Sequence, residues 1–504
     1  MLITLIRREL LDNLMTFRFG VAVLITLLLV IAHTLVGIKD YEQRLVRYNI
    51  AVKTHRQQLQ GMKTYSVGAP EVIVDRAPNP LSIFNVGLDK RLGSEIQVYH
   101  AFVPTLWDAD THGTNNPFLN LFTSIDLVFI FEGLLSLLAL IFAYDSITGE
   151  RERSTLRLTL IHPVSRGHIL FAKYVSAMLC LLVPLLVSLL FAVILLTTSA
   201  SISLSIDDFF RIGGIVFVSL TYLSVFYLIG LLISVTTHRT KTALMISMFV
   251  WGFLVLVYPN LILAVIDASR VPQTQAISDF SKIKQLWERF DRDRKHFLIN
   301  DPVVGEDPLF NIEWSAGFGF EDIIEDPSTL QYYYQVGLQV EKFDVKSEPL
   351  VAHARNYFRF LGPRTINTAE QTWIVRKQIL ENVFVRPANV DHIWLKLSPV
   401  GLYDATTQAW AGTDLLGVRD YFDAVRQYRQ TVIDYLYDKK VFAIRQWFAS
   451  DKGSVDWNAL PQFSFQRNSV AINAKRALLD VCLLLIMNLV LFMVIFLIFV
   501  KSEV

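Results

Sequence analysis

The chain has 504 residues, of which 53% are hydrophobic and only 18% are charged. This composition is too apolar for an ordinary soluble protein. The formal net charge of +1 indicates neither a nucleic-acid partner nor a wholly acidic one. The two cysteines, Cys180 and Cys482, lie inside apolar stretches. They are predicted to be small buried residues rather than a disulfide or a metal site.

Six stretches of the sequence are long enough to cross a membrane. A helix needs about 20 mostly apolar residues to span the hydrocarbon core of a bilayer. The stretches that meet this length are residues 20–38, 121–143, 169–197, 212–235, 243–266 and 478–500. The first is longer than the apolar core of a cleaved signal peptide, about 7–15 residues, so we expect it to remain as an anchor. The amphipathic residues 1–17 before it predict an interfacial helix or a helical lead-in.

Lysine and arginine in short loops set the orientation of spans. Here basic residues precede the first span and follow the last one. They also occupy the loops between spans two and three and between spans four and five. All four segments fall on one side if both termini are cytoplasmic. The sequence therefore predicts a multi-pass protein of the bacterial inner membrane, and the lack of an Asn-x-Ser/Thr sequon fits that location.

This orientation makes two long segments extracytoplasmic. The predicted fold is an all-α polytopic membrane protein with six transmembrane helices and a mainly helical extracytoplasmic domain. The predicted divisions are 1–38 (interfacial helix and first span), 39–120 (first extracytoplasmic segment), 121–266 (spans two to five, with a cytoplasmic coupling loop at 144–168), 267–477 (large extracytoplasmic domain) and 478–504 (last span and tail).

Helical periodicity marks both extracytoplasmic segments. Apolar residues repeat every three or four positions over residues 41–59, 277–290 and 421–435. The first of these stripes directly follows the first span and predicts that its helix continues out of the membrane. Asn367 and Glu370 have the spacing of a capping box and predict the start of a helix. The stripes favour a domain core over an intermolecular coiled coil, the alternative that the same spacing allows.

The loop between spans two and three is densely charged. Its charges begin at Asp145 and force the chain out of the bilayer, because a charge at the centre of a span costs about 2.5–3.5 kcal/mol. Apolar residues from Leu156 to Ile161 follow, Pro163 ends the helix, and Ser165 is placed to cap the third span. A short charged helix of this kind suits docking to a cytoplasmic partner. An ordinary positive-inside loop explains the charges equally well.

Residues 144–173 resemble the signature of type-2 ABC exporter permeases. The matching features are Gly-Glu-Arg-Glu-Arg at 149–153, Thr-Leu-Arg-Leu at 155–158 and Pro-Val-Ser-Arg-Gly at 163–167. In that family this loop contains a coupling helix that sits in a groove of the ATPase subunit. The resemblance implies that the ATPase contacts are Glu150, Arg151, Glu152, Arg153, Thr155, Leu156 and Arg157. Ser154 stands where many relatives carry glycine, a departure that would stiffen the turn.

Two further motifs are similar to a feature of the branch of this family with an enlarged extracytoplasmic domain. They are Leu-Ser-Pro at 397–399 and Trp-Ala-Gly-Thr at 410–413. The resemblance implies that this chain is the permease subunit of an ABC exporter and not an enzyme. An ABC ATPase would be one partner, and a second permease copy or paralogue would complete the membrane part. Membrane lipid and a periplasmic partner are also expected, whereas nucleic acid is not.

The sequence contains no Gly-x-x-x-x-Gly-Lys-Ser/Thr loop to cradle nucleotide phosphates. ATP and Mg²⁺ would therefore be bound in the partner ATPase, and this chain is expected to carry no cofactor. The alternative function is a membrane scaffold or mechanotransmission subunit whose extracytoplasmic domain recruits cell-envelope partners. The resemblance does not choose between the two.

Two acidic residues, Asp126 and Glu132, lie in or near the second span. The burial of an intramembrane carboxylate must be offset by water or a partner, so each could line a substrate path or pair with Arg211. An interfacial position is the alternative for Asp126. Pro259 predicts a kink in the fifth span. The resemblance implies that spans two and five rearrange around the substrate.

Asp108, Asp110 and His112 alternate along the first extracytoplasmic segment, a spacing that could gather metal ligands on a strand or loop. A solvated acidic turn is the favoured interpretation. The sequence also lacks His-Glu-x-x-His, Cys-x-x-Cys and Gly-x-Ser-x-Gly motifs. We therefore predict no metal ligand and no catalytic residue.

Overall fold

A computed structural model describes residues 2–65, 72–90, 93–104, 126–155, 165–262, 274–301, 314–317, 333–336, 348–381, 393–447 and 455–501. Six helices in this part of the chain are long and apolar enough to cross a membrane. They are TM1 (Phe17–Gly61), TM2 (Leu127–Glu152), TM3 (Arg166–Thr198), TM4 (Ile206–Thr236), TM5 (Thr240–Ile262) and TM6 (Val470–Lys501). The prediction of an all-α membrane protein with six spans is confirmed. The predicted span residues 121–125 and 263–266 lie outside the described residues.

TM1 is much longer than a bilayer is thick. Its 45 residues extend about 67 Å at 1.5 Å per residue, against about 30 Å of hydrocarbon. The predicted continuation of the first span beyond the membrane is therefore confirmed. A separate helix, α1 (Leu2–Leu14), precedes TM1, and Leu10 and Leu14 pack against the core of the spans. Thr16 caps the start of TM1 by accepting a hydrogen bond from Phe19 N at 3.3 Å.

TM2 and TM4 form the centre of the spanning helices. In each of these two helices, 72% of the most apolar 18-residue stretch is buried inside the protein. The corresponding share is 22% in TM1 and 17% in both TM5 and TM6. Gly230 of TM4 permits this close packing, because a Cβ atom there would lie 2.6 Å from Ala143 Cβ of TM2. The outer helices consequently leave apolar surface for lipid or for another protein.

The region outside the spans is mainly helical. Besides short 3₁₀ turns, its described elements are α3 (Thr274–Asn300), α4 (Glu348–Leu380), α5 (Pro399–Ala411), α6 (Leu415–Asp438), and strands β1 (Val72–Asp75), β2 (Glu95–Val98), β3 (Trp314–Gly317) and β4 (Tyr333–Val336). The strands form two antiparallel pairs, β1 with β2 and β3 with β4. The predicted mainly helical character of this region is confirmed.

A second hydrophobic core holds this region together. Ile283 and Phe290 of α3 and Tyr421, Val425 and Val432 of α6 are buried in it. The predicted apolar stripes therefore pack inside the chain's own domain rather than lying free for a coiled coil. At the centre of this core, burial lowers the pKa of His100 to about 3, with a smaller contribution from the Arg429 guanidinium.

One predicted helix start is wrong. The helix α4 runs without interruption from Glu348 to Leu380, so Asn367 and Glu370 lie in its interior rather than at a cap. The Glu370 side chain instead forms an ion pair with Arg429 of α6. The acidic residue thus has a tertiary partner, which the spacing of a capping box does not reveal.

The helix α5 connects the outer region to the spans. Ser398 caps its start by accepting a hydrogen bond from Val400 N, and Gly412 ends it with a left-handed φ of 69°. The side chain of Tyr403 in this helix contacts Ser219 Oγ of TM4 at 2.8 Å. Its ring also stacks on Tyr222, with 4.3 Å between centroids. The Leu-Ser-Pro motif at 397–399 therefore forms the beginning of this helix, and the Trp-Ala-Gly-Thr motif at 410–413 forms its end.

Candidate coupling site between TM2 and TM3

A short helix, α2 (Thr148–Glu152), ends TM2 and is anchored to the last turn of TM4. The Ser234 hydroxyl accepts hydrogen bonds from the backbone amides of Ile147 and Thr148 at 3.1 and 3.0 Å. The Thr148 hydroxyl donates in return to Ser234 O at 2.6 Å. All of these groups are buried, so the start of α2 is held to TM4 by a satisfied polar network.

Two charged side chains extend this anchor to the junction of TM4 and TM5. The Arg151 guanidinium donates to Val235 O at 3.3 Å and Thr237 O at 3.0 Å, carbonyls that have no partner within the end of TM4. The Glu152 carboxylate accepts from the backbone amide and the hydroxyl of Thr240 at 3.2 and 2.6 Å. A negative charge at the start of TM5 also suits the helix dipole.

A buried lysine links the loop to two further helices. Lys173 of TM3, whose side chain is 4% exposed, places Nζ 2.7 Å from Glu150 Oε1 and 3.1 Å from Glu9 Oε1 of α1. At the other edge, the Arg18 guanidinium of TM1 lies 3.3 Å from the Asp145 carboxylate. These contacts couple any movement of α2 to TM1, TM3 and α1. Lys173 lies inside an apolar stretch of the sequence, and this position indicates an acidic partner because a buried charge requires one.

The predicted ATPase contacts fall into three groups. Glu150, Arg151 and Glu152 contact other parts of the chain, as described above. Arg153 and Thr155 are exposed to solvent. The last two, Leu156 and Arg157, lie outside the described residues. The role of all seven in binding an ATPase stays a prediction, and the geometry indicates that the exposed residues are accessible to a partner.

The turn after α2 contains a strained residue. Ser154 has a φ of 60°, in the left-handed region that costs a residue with a Cβ atom about 1–2 kcal/mol. The structure thus supplies a physical reason for the glycine of many relatives. We expect Ser154→Gly to raise the free energy of unfolding by about 1 kcal/mol, which chemical unfolding of the purified protein would measure. Arg153→Gly, at a φ of −85°, is the control and should not stabilise.

The far end of the loop is also attached. Ser165 caps TM3, as predicted, by accepting a hydrogen bond from His168 N at 3.3 Å. The Arg166 guanidinium donates to Val500 O of TM6 at 2.9 Å. The described residues on both sides of the loop, in α2 and at the start of TM3, are therefore attached to other spans.

The candidate substrate-path residues Asp126 and Glu132 occupy different environments. Asp126 caps TM2, since its two carboxylate oxygens accept from Val86 N at 2.9 Å and Phe129 N at 2.7 Å. Glu132 lies inside the span and is buried. Arg211, the suggested partner, instead lies 3.7 Å from Asp208. A place for either carboxylate in a substrate path stays a prediction.

Both TM2 and TM5 contain a π-helical turn, which the sequence did not predict. One covers Phe131–Leu135 and includes Glu132, and the other covers Phe253–Val257, just before Pro259. Such turns leave backbone groups without regular helical partners and are frequent at functional sites. At the first turn, the Tyr222 hydroxyl donates to Glu132 O at 3.1 Å.

A hydrogen bond joins TM2 and TM5 next to the two π-helical turns. Trp251 Nε1 of TM5 donates to Ser136 Oγ of TM2 at 3.0 Å. The Ser136 hydroxyl in turn donates to the carbonyl of Glu132. TM2 and TM5 therefore share a hydrogen-bonded link beside Glu132. No pattern in the sequence reveals this link, because it joins side chains 115 positions apart.

Comparison with known proteins identifies the class of protein to which this architecture belongs. A family model described as ABC-2 family transporter protein matches residues 3–295, which is more than half of the chain. The chain belongs to this family of ABC transporter permeases. A second model, a domain of unknown function (DUF3526), matches residues 343–466 in the region outside the spans.

Two curated relatives are similar to part of the chain. The probable ABC transporter permease protein NosY of Stutzerimonas stutzeri is 32% identical over 140 residues, which are 27% of this chain and 49% of that protein. The protein of the same name from Pseudomonas aeruginosa is 30% identical over 140 residues, or 27% and 50% of the two chains. The chain thus spans about half the length of the curated relatives it matches.

Proposed function

We propose that this protein is the permease subunit of an ABC exporter in the bacterial inner membrane, with both termini cytoplasmic and the large helical region extracytoplasmic. The observation that carries the proposal is the loop after TM2. Its exposed residues Arg153 and Thr155 adjoin a helix that is bonded to TM3, TM4 and TM5, and through Lys173 to α1. A partner that binds the exposed tip can therefore move several spans together.

ATP and Mg²⁺ are bound and hydrolysed by a separate ATPase subunit in this proposal. Closure of that subunit displaces α2, and the bonds of Thr148 and Glu152 carry the displacement to TM4 and TM5. Lys173 carries it to TM3. The Thr148–Ser234 and Lys173–Glu150 contacts join buried or partly buried groups, so in this proposal they carry the displacement more firmly than the exposed Glu152–Thr240 contact does.

The substrate path lies beside TM2 and TM5 in this proposal. The π-helical turns at Glu132 and before Pro259 are positions where a helix can change its register at low cost. The Trp251–Ser136 contact would keep the two turns in step. A second permease copy or paralogue covers TM5, whose outward face carries Met245 and Phe249, each about three-quarters exposed.

The proposal is tested by reconstituting the permease with its ATPase in lipid. Arg153→Glu combined with Leu156→Asp is expected to release the ATPase, or to lower its turnover at least tenfold, because the change places acidic groups at the docking tip. Recovery of the complex and ATP turnover are both recorded. Lys501→Glu, a charge reversal at the exposed last residue of TM6, is the matched control.

Unchanged recovery and turnover in the double variant would show that the loop only fixes topology, and the proposal would fall. Arg151→Gln provides a second comparison, since its guanidinium binds carbonyls of TM4 within the chain. It should retain the ATPase while losing part of the turnover. That combination separates transmission through the loop from docking at its tip.

A further inference from the structure

Three side chains with metal-binding groups meet in the region outside the spans. His55 lies on the extension of TM1, Asp75 is the last residue of β1 and Glu95 is the first residue of β2. One ligand atom from each lies within 4.8 Å of the other two. His55 Nδ1 and Asp75 Oδ2 are already 3.0 Å apart.

The fold brings two like charges together at this point. The register of the β1–β2 pair places Asp75 directly opposite Glu95. Carboxylates in this arrangement repel each other and destabilise a sheet. The Asp75 side chain is only 5% exposed, so water screens the repulsion poorly.

We propose that His55, Asp75 and Glu95 bind one divalent transition-metal ion, with Zn²⁺ as the best-matched probe. Zinc accepts imidazole nitrogen and carboxylate oxygen at about 2.0–2.2 Å, so adjacent ligand atoms of a tetrahedron lie about 3.3 Å apart. The 3.0 Å between His55 Nδ1 and Asp75 Oδ2 is close to this requirement. The Glu95 oxygen, within 4.8 Å of both atoms, would have to approach further by rotation about its side-chain bonds. The imidazole ligand favours zinc, nickel or copper over magnesium and calcium.

The bound ion would act as a clip between TM1 and the β1–β2 pair. Its three ligands come from three separate elements, and TM1 is the helix that leaves the membrane toward this region. A metal with three protein ligands keeps its fourth position for water or another donor. This site lies outside the candidate coupling loop, so the inference goes beyond the proposed function and does not depend on an ATPase.

The test uses the full-length protein without a polyhistidine tag, stripped with a chelator and then titrated with Zn²⁺. We expect one equivalent to bind and to raise the unfolding temperature, because an ion that binds only the folded state stabilises it. Loss of a residue that only contacts a metal ligand weakens metal binding by about 10–100-fold. His55→Gln and Glu95→Gln each remove a ligand itself, so each should weaken Zn²⁺ binding by more than that. Titration with Co²⁺ and its visible absorption spectrum would report coordination by nitrogen and oxygen.

His353→Gln is the matched control. His353 Nδ1 lies 3.2 Å from Asp301 Oδ2, so this variant also breaks a histidine–aspartate pair. It should keep the full equivalent of Zn²⁺. Two results would overturn the proposal: a wild-type protein that takes up no Zn²⁺, and uptake that persists in both His55→Gln and Glu95→Gln. The first would leave a salt bridge between histidine and carboxylates, and the second would place the ion elsewhere.

Discussion

Lys173→Met is expected to lower the free energy of unfolding by about 3 kcal/mol, because it leaves two carboxylates facing each other without their cation. Removal of one partner from a buried ion pair costs about 3–5 kcal/mol. The lower end applies here, since the side chains of Glu9 and Glu150 are 23% and 27% exposed. Unfolding in detergent, followed by the fraction of helix, measures the change.

The matched variants show whether the charge network is the cause. Lys173→Met combined with Glu9→Gln and Glu150→Gln should recover most of the lost stability, because no unpaired charge then remains. The double variant Glu9→Gln with Glu150→Gln should be less stable than this triple variant, because it buries the charge of Lys173 without a carboxylate partner. If the triple variant is no more stable than Lys173→Met alone, packing of the lysine stem rather than its charge holds the site together.

The spans and the principal helices outside them could be predicted from the sequence. Apolar length identifies a membrane helix without any knowledge of its neighbours, because the bilayer itself imposes the length. The stripe from Tyr41 to Leu59 likewise showed that TM1 continues beyond the membrane, since regular spacing is a property of one helix. Ser165 was similarly informative, because a helix cap is local.

The internal contacts of the candidate coupling site could not be predicted. Thr148 and Glu152 bind residues of TM4 and TM5 that lie 86 and 88 positions away, and no local spacing encodes such a meeting. The resemblance selected this segment but treated Glu150, Arg151 and Glu152 only as contacts to an ATPase. Their inward bonds depend on how TM2, TM4 and TM5 pack, which the charges alone do not determine.

Two further features depend on tertiary structure. The π-helical turns in TM2 and TM5 arise in stretches whose apolar composition is that of ordinary spans. The group of His55, Asp75 and Glu95 draws residues about 20 positions apart from a helix and two strands. The metal motif considered in the sequence, Asp108, Asp110 and His112, lies outside the described residues. Regular local spacing therefore does not point to the group of His55, Asp75 and Glu95.

Gly214 of TM4 is expected to be intolerant of even one added carbon. A Cβ atom at this position would lie 2.3 Å from the Trp410 ring of α5, far inside the contact distance. Gly214→Ala should therefore displace the indole and destabilise the protein by about 1–3 kcal/mol, the usual cost of overpacking. Since α5 packs on TM4 at this point, the change should also weaken the attachment of the outer region to the spans.

The neighbouring glycine supplies a control within the same helix. Gly213 has nothing within 4 Å of its added Cβ, so Gly213→Ala should be neutral or gain up to about 1 kcal/mol from helix propensity. Trp410→Leu combined with Gly214→Ala should be less destabilising than the sum of the two single changes, because the smaller side chain makes room for the methyl group. Limited proteolysis near α5 would follow its detachment. Equal stabilities for the two alanine variants would show that Trp410 moves aside freely and that α5 is not fixed to TM4 through this contact.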